Sequence, residues 1–242
     1  MANLLIEIGN TALKAAWSDG MTLGKTFRYQ GEKVMDFIFS LTEKEKPEVL
    51  VVSSVYPISA YDEERLHGEC PRLLILDGRY VELLGARGIP RYLTYDRAAS
   101  IIACRYLFRD KGCTIVDFGT TLTVDFISDK GEYTGGNISL GCRTRFKALS
   151  RYSKVLPLLN IPDDPDITGH TLETSMESGV VSGIMFEIEG YLNLHPENIV
   201  VFTGGDAIYF AKRMKNSIFV ICNLVLMGLA LIADRYVKSI DQ

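Results

Sequence analysis

The chain has 242 residues, of which 47% are hydrophobic and 23% charged, with a formal net charge of −4. That length fits one large domain or two of ordinary size around a substantial core. The acidic balance, without any run of Lys or Arg, excludes a nucleic-acid surface. No uninterrupted apolar stretch is long enough for a membrane span.

The first predicted element is the strand in "LLIEIGNTALKAAW", residues 4–17. It has no basic n-region and Glu7 cuts its apolar run, so it reads as a first strand and not a signal peptide. After Gly9-Asn10-Thr11 the chain re-enters an extended pattern, up to the turn signal Ser18-Asp19-Gly20. A helical pattern over 31–43 precedes a buried strand in "EVLVVSSVYP", residues 48–57. "LTYDRAASIIACRYL" then places an amphipathic helix over 95–109. A second strand, turn and strand follow in "TIVDFGTTLTVDFISDKG", where Leu122, Val124 and Phe126 alternate with Thr121, Thr123 and Asp125. Helical patterns over 142–152 and 171–191 lead to a buried strand in "NIVVFTGGDA", residues 198–207. A helix over 206–214, a buried strand opening the run 217–233 and a buried helix over 223–238 complete the chain.

Five cysteines (Cys70, Cys104, Cys113, Cys142, Cys222) are odd in number and lack metal-ligand spacing. They read as small core residues in a reducing cytosol. His67, His170 and His195 sit in loop-like contexts and read as surface residues.

The two halves echo each other. Glu7 pairs with Asp117, Gly9 with Gly119, Asn10 with Thr120, Thr11 with Thr121 and Asp19 with Asp129, at an offset of 110 throughout. Chance similarity between two hairpins is the bland explanation. The matched order of further elements, strand after strand, favours duplication, with halves at 1–110 and 111–242.

A carboxylate at a strand end beside glycine is a costly structural choice unless a cation or a metal-bound phosphate neutralises it. The Gly-Asn-Thr and Gly-Thr-Thr turns offer backbone N–H groups and hydroxyls to a phosphate chain, and Lys14 can add a point charge. No G-x-x-x-x-G-K-[ST] loop occurs, so any phosphate clamp here is of another kind. Gly204-Gly205 before a helix suits an adenosine lying against backbone, though such a pair alone is an ordinary strand-to-helix turn. Asp96, opening a helix, is either a partner of the helix dipole or a base accepting a hydroxyl proton, with Arg97 holding an anionic group.

The set "EIGNTALK", "YDRAA", "DFGTTLTVDF", "GGNISLGCRTRFKALSRYSKVLP", "SMESGVVSG", "TGGDA" and "NLVLMGL" resembles type III pantothenate kinases along nearly the whole chain. The resemblance implies an α/β fold of two duplicated ribonuclease H-like domains, as in actin, Hsp70 and sugar kinases, with the nucleotide in the cleft between them. It implies ATP-dependent phosphorylation of the primary hydroxyl of pantothenate, the first step of coenzyme A biosynthesis, by a cytoplasmic homodimer. ATP would be used with Mg2+, and a monovalent cation, K+ or NH4+, would be required. Carried over, Glu7, Ile8, Gly9, Asn10, Thr11 and Lys14 belong to the first ATP phosphate loop, and Thr120, Gly204 and Gly205 also bind ATP. Asp117 holds the monovalent cation. Thr94-Tyr95-Asp96-Arg97 stands in the pantothenate motif with Asp96 as proton acceptor, and Thr171 adjoins a further substrate position.

Departures from the family pattern cluster on the pantothenate side. Glu7 replaces the usual Asp, Thr94 a Gly, Arg87 a substrate-contacting Tyr, and Leu172 a substrate-contacting Thr; Leu140-Gly141 stands for Pro-Gly. Two alternatives to the kinase remain open: a non-catalytic, nucleotide-binding regulatory or accessory relative, and a phosphotransferase of the same superfold for another hydroxy-acid or sugar. Retention of Asp96, Arg97, Asp117 and Thr120 favours catalysis.

Overall fold

The computed structural model describes residues 2–76 and 88–240. Its backbone divides into two compact units: the residues up to Leu107 together with those from Asn223, and Phe108–Cys222. The division after Leu107 lies close to the expected boundary after residue 110. The last helix belongs with the first unit, whereas the expected second half had included it.

In the first unit, β1 (Asn3–Ile8), β2 (Leu13–Asp19) and β3 (Thr22–Tyr29) form an antiparallel meander. β4 (Leu50–Ser54) and β5 (Leu73–Leu76) continue the sheet in parallel, giving the order β3-β2-β1-β4-β5. Leu4, Leu5 and Ile6 of the central strand are fully buried, as expected for a strand covered on both faces. With period two, Leu4, Ile6 and Ile8 share a core with Ile38 and Leu41 of α1 (Val34–Thr42) and Leu66 of α2 (Ala60–Glu69). α3 (Tyr95–Leu107) packs against β4, and the C-terminal helix (Leu224–Ile240) packs against β1 and α3. Eight consecutive residues of α3, Arg97 to Cys104, are buried. Gly228 allows its helix to meet α3 backbone to backbone, since a Cβ there would lie 2.0 Å from the Ala99 carbonyl oxygen.

The second unit repeats the topology: β6 (Cys113–Phe118), β7 (Thr121–Ile127) and β8 (Tyr133–Leu140) form the meander, and β9 (Ile199–Gly204) and β10 (Ile218–Val220) run in parallel. The order β8-β7-β6-β9-β10 is that of the first sheet, strand for strand. α4 (Cys142–Tyr152), α5 (Leu172–Leu194) and α6 (Ala207–Ala211) cover one face. Phe118 anchors this core, stacked on Phe210 at 4.9 Å and edge-on to Phe202 at 4.8 Å between centroids. The C-terminal helix is α7.

The duplication is therefore real, but its offset is not constant. Ile8 faces Leu13 across a four-residue loop, and Phe118 faces Leu122 across a three-residue loop. The offset of 110 holds through the glycines and falls to 109 on the second strand, so Lys14 corresponds to Thr123 and the pairing of Asp19 with Asp129 does not hold.

Two elements carried too little periodic signal to be foreseen. α2 has one buried residue, Leu66, and is capped by the Ser59 hydroxyl accepting from Asp62 N–H at 3.1 Å; β5 is four residues long. The strand expected to be buried before the last helix is instead an edge, β10, with Phe219 and Val220 exposed. Four cysteines are buried as expected, and Cys222 is exposed. Among the described residues no helix is long and apolar enough to cross a membrane.

Candidate active site

Glu7 is the penultimate residue of β1, in register with Lys14 on β2 and with Ser53 on β4. Cross-strand neighbours place their side chains on the same face, and Lys14 Nζ lies 3.4 Å from Glu7 Oε2. The cation expected to neutralise this carboxylate thus includes a side chain of the protein itself. Glu7 is only 14% exposed, and burial pushes its carboxyl above the ordinary range; Lys14 opposes that shift and the nearby Asp96 carboxylate reinforces it.

Asp96 lies in the first turn of α3, whose opening is fixed by the Ala98 N–H donating to the Thr94 carbonyl at 3.0 Å. Asp96 Oδ1 is buried with no hydrogen-bond partner. It is therefore not a helix-dipole partner standing in solvent. A cavity of about 310 Å³ brings Glu7, Ile8, Gly9, Thr94, Tyr95 and Asp96 together with Ser53, Ser54, Val55, Tyr92 and Leu93. Arg97 is 7% exposed and, like Lys14, does not line this cavity. Arg87 lies outside the described residues.

Asn10 and Thr11 line a neighbouring cavity of about 370 Å³ behind the same turn, with Tyr29, Met35, Tyr56 and Asp62. Gly9 N–H closes the turn on the Ala12 carbonyl at 3.1 Å, and the Tyr56 hydroxyl reaches Asn10 Oδ1 at 3.3 Å.

In the second unit Asp117 occupies the place equivalent to Glu7, in register with Thr123 and Thr203. Gly204, with φ of +92°, closes β9 against it: a Cβ would come within 2.4 Å of Asp117 Oδ1 and 2.6 Å of Phe118 N. Gly205 N–H donates to the Phe118 carbonyl at 2.9 Å. Asp117, Gly204 and Gly205 are therefore one packed assembly, with Thr120 exposed on the turn just beyond. Thr171 is the N-cap of α5, its hydroxyl accepting from Thr174 N–H at 3.2 Å while the Thr174 hydroxyl accepts from Thr171 N–H at 2.9 Å. That capping is a sufficient local reason for a threonine there.

Tyr92, Ser53 and Ser54 were not foreseen. The serines were within reach of the sequence, since β4 and β9 both end in small residues and Ser53 matches Thr203 by register with the acidic strand. Tyr92 sits in an irregular segment before α3, where no periodicity marks it.

Two duplicated α/β units, each with a mixed five-stranded sheet and an acid beside a glycine turn, define the class of the actin, Hsp70 and sugar kinase fold. Solved structures agree. A conserved Baf-family protein from Campylobacter jejuni matches 97% of this chain and 99% of its own at TM-score 0.64 and 22% identity. The activator of 2-hydroxyisocaproyl-CoA dehydratase from Clostridium difficile, with bound ADPNP, matches 100% and 97% at TM-score 0.61 and 13% identity. The profile of the type III pantothenate kinase family matches residues 3–194. The type III pantothenate kinase of Azobacteroides pseudotrichonymphae is 33% identical over 240 residues, covering 93% of this chain and 94% of the relative. The chain belongs to the type III pantothenate kinase family.

Proposed function

We propose that the chain phosphorylates the primary hydroxyl of pantothenate with ATP, the first step of coenzyme A biosynthesis, using Asp96 as the base. Family membership supports the reaction. The observation that carries the assignment of the base is the buried Asp96 Oδ1, which has no hydrogen-bond partner, in a residue that lines one cavity with Glu7. A carboxylate without a competing hydrogen bond keeps its lone pair for the substrate hydroxyl, whose proton it takes as the oxygen attacks the terminal phosphoryl group.

Glu7 and the Gly9–Thr11 turn, with Lys14 behind Glu7, are assigned to the phosphates in the first unit; Thr120, Gly204 and Gly205 are assigned to ATP in the second. Thr94, Tyr95, Arg97 and Thr171 are assigned to pantothenate, Arg97 acting from its buried place by its charge. Among the described residues no group of three or more His, Cys, Asp or Glu is placed to hold a metal. Mg2+ would enter on the ATP phosphates, as that ion usually does, and would supply charge neutralisation there. The Asp117 carboxylate, an anionic oxygen packed against the Gly204 backbone, fits a hard monovalent cation such as K+ or NH4+.

The protein is further assigned to the cytoplasm as a homodimer. Tyr152 at the end of α4 and Val155 and Leu158 beyond it, all largely exposed, support a covered apolar surface in the assembly.

The test is ADP production with pantothenate, ATP and Mg2+ in K+ or Na+, repeated with Asp96→Asn. Loss of about 100-fold or more in kcat is expected from removing the base. Activity surviving the substitution would overturn the base, and absence of activity in every salt would favour the non-catalytic relative.

A further inference from the structure

The second glycine turn is held from behind by the start of α4. Two donors converge on the Thr120 carbonyl: Gly141 N–H at 3.0 Å and the Thr144 hydroxyl at 2.7 Å. Gly141 admits no side chain, because a Cβ would lie 2.1 Å from the Gly119 carbonyl oxygen and 2.9 Å from that of Thr120. The helix start is itself clamped. Arg145 Nε donates to the Leu140 carbonyl at 2.8 Å, its guanidinium pairs with Glu187, and Glu187 also accepts from the Ser139 hydroxyl at 2.6 Å.

Among the described residues the first unit shows no such arrangement at the corresponding point of its topology. Residues 30–33 separate β3 from α1, whereas Gly141 alone separates β8 from α4. The roughly 370 Å³ cavity lined by Thr11, Tyr29 and Met35 lies between the first turn and α1. One turn is backed by a cavity and the other by a helix.

We propose that Thr144, together with Gly141, is a positioning residue for nucleotide binding. By occupying the Thr120 carbonyl from the helix side, the pair fixes the plane of the Thr120–Thr121 peptide and with it the direction of the Thr120 side chain. The inference rests on the reading that Thr120 contacts ATP. Gly141 supplies close approach and Thr144 the second hydrogen bond.

The experiment compares wild type, Thr144→Val, Thr144→Ser and Thr120→Ala. Calorimetry gives the Kd of a non-hydrolysable ATP analogue, and steady-state kinetics give KM for ATP and for pantothenate. Losing one neutral hydrogen bond should weaken the analogue roughly 3- to 10-fold in Thr144→Val. Thr144→Ser should stay within about twofold of wild type, because its hydroxyl is retained, and pantothenate KM should not move. Unchanged affinity in Thr144→Val with weakened binding in Thr120→Ala would overturn the positioning role alone. Equal losses in Thr144→Ser and Thr144→Val would overturn it too, assigning the effect to packing. Unchanged affinity in Thr120→Ala would overturn the reading of Thr120, and the inference with it.

Discussion

Glu7 and Lys14 face each other across β1 and β2, with Oε2 3.4 Å from Nζ. This pair gives the glutamate a local reason to stand at the end of β1. The longer side chain reaches its cross-strand lysine while its backbone keeps the Gly9 turn in place. Shortening it in Glu7→Asp withdraws the carboxylate by one carbon–carbon bond, about 1.5 Å. A misplacement of that order can cost roughly 100-fold in rate. Glu7→Asp should therefore lower kcat/KM for ATP, by about 10-fold or more, and steady-state kinetics at saturating pantothenate will read it. A rise in turnover would show that Glu7 is a handicap to which the site has not adapted.

The same carboxyl makes stability depend on pH. Burial raises it first, Lys14 lowers it, and Asp96 raises it again, leaving it above the ordinary value. A folded protein that binds this proton more tightly than the unfolded chain is favoured below the unfolded value of about 4.3. That contribution is lost as pH rises through the raised folded value. Glu7→Gln removes the titration. The melting temperature of wild type minus that of Glu7→Gln should accordingly fall as pH is raised from about 4 to 8. A flat or rising difference would mean that Lys14 outweighs burial.

Much of this was legible in the sequence because it depends on local pattern. The "LLIEIG" and "TIVDFG" strands announce themselves by apolar runs ending in an acid and a glycine, and their echo pointed to the duplication that the two sheets show. Asp96 could be singled out because an acid opens the helix pattern over 95–109. What the sequence hid depends on register and long-range packing. A loop shorter by one residue shifts the second copy's alignment, so Lys14 corresponds to Thr123 and not to Val124. The Glu7–Lys14 contact needs that register, and α2 is polar around nearly its whole circumference. The burial of Arg97 follows from α3 lying between the sheet and α7, which no helical wheel of α3 alone reports.

Tyr92 is 72% exposed yet lines the cavity that holds Asp96. An aromatic ring at the mouth of a substrate cavity offers apolar surface and a hydroxyl together. On the reading that this cavity takes pantothenate, Tyr92 would contact the substrate. Tyr92→Ala should raise KM for pantothenate about 10-fold, equivalent to roughly 1.4 kcal/mol, with KM for ATP unchanged. Tyr92→Phe separates ring from hydroxyl: recovery of KM assigns the effect to the ring. An unchanged pantothenate KM in Tyr92→Ala would remove Tyr92 from the site.

Gly204 joins a steric demand to a positive φ in the second unit. Its φ of +92° is one that L side chains rarely adopt, and its missing Cβ leaves room for Asp117 Oδ1, Phe118 N and the Phe118 carbonyl within 2.4 to 2.6 Å. Gly204→Ala adds backbone strain of about 1–3 kcal/mol and forces β9 away from β6 or the Asp117 carboxylate out of its place. The melting temperature should drop by several degrees, since about 1 kcal/mol corresponds to roughly 2–4 °C in a chain of this size. The folded fraction should also lose the difference between its activity in K+ and in Na+, because the carboxylate assigned to the cation has moved. Serving as a reference, Gly205→Ala meets nothing closer than the Phe118 carbonyl at 3.9 Å and should melt close to wild type. Equal melting of both variants would show that β9 yields at Gly204, and retention of the K+ preference in Gly204→Ala would separate the cation from Asp117.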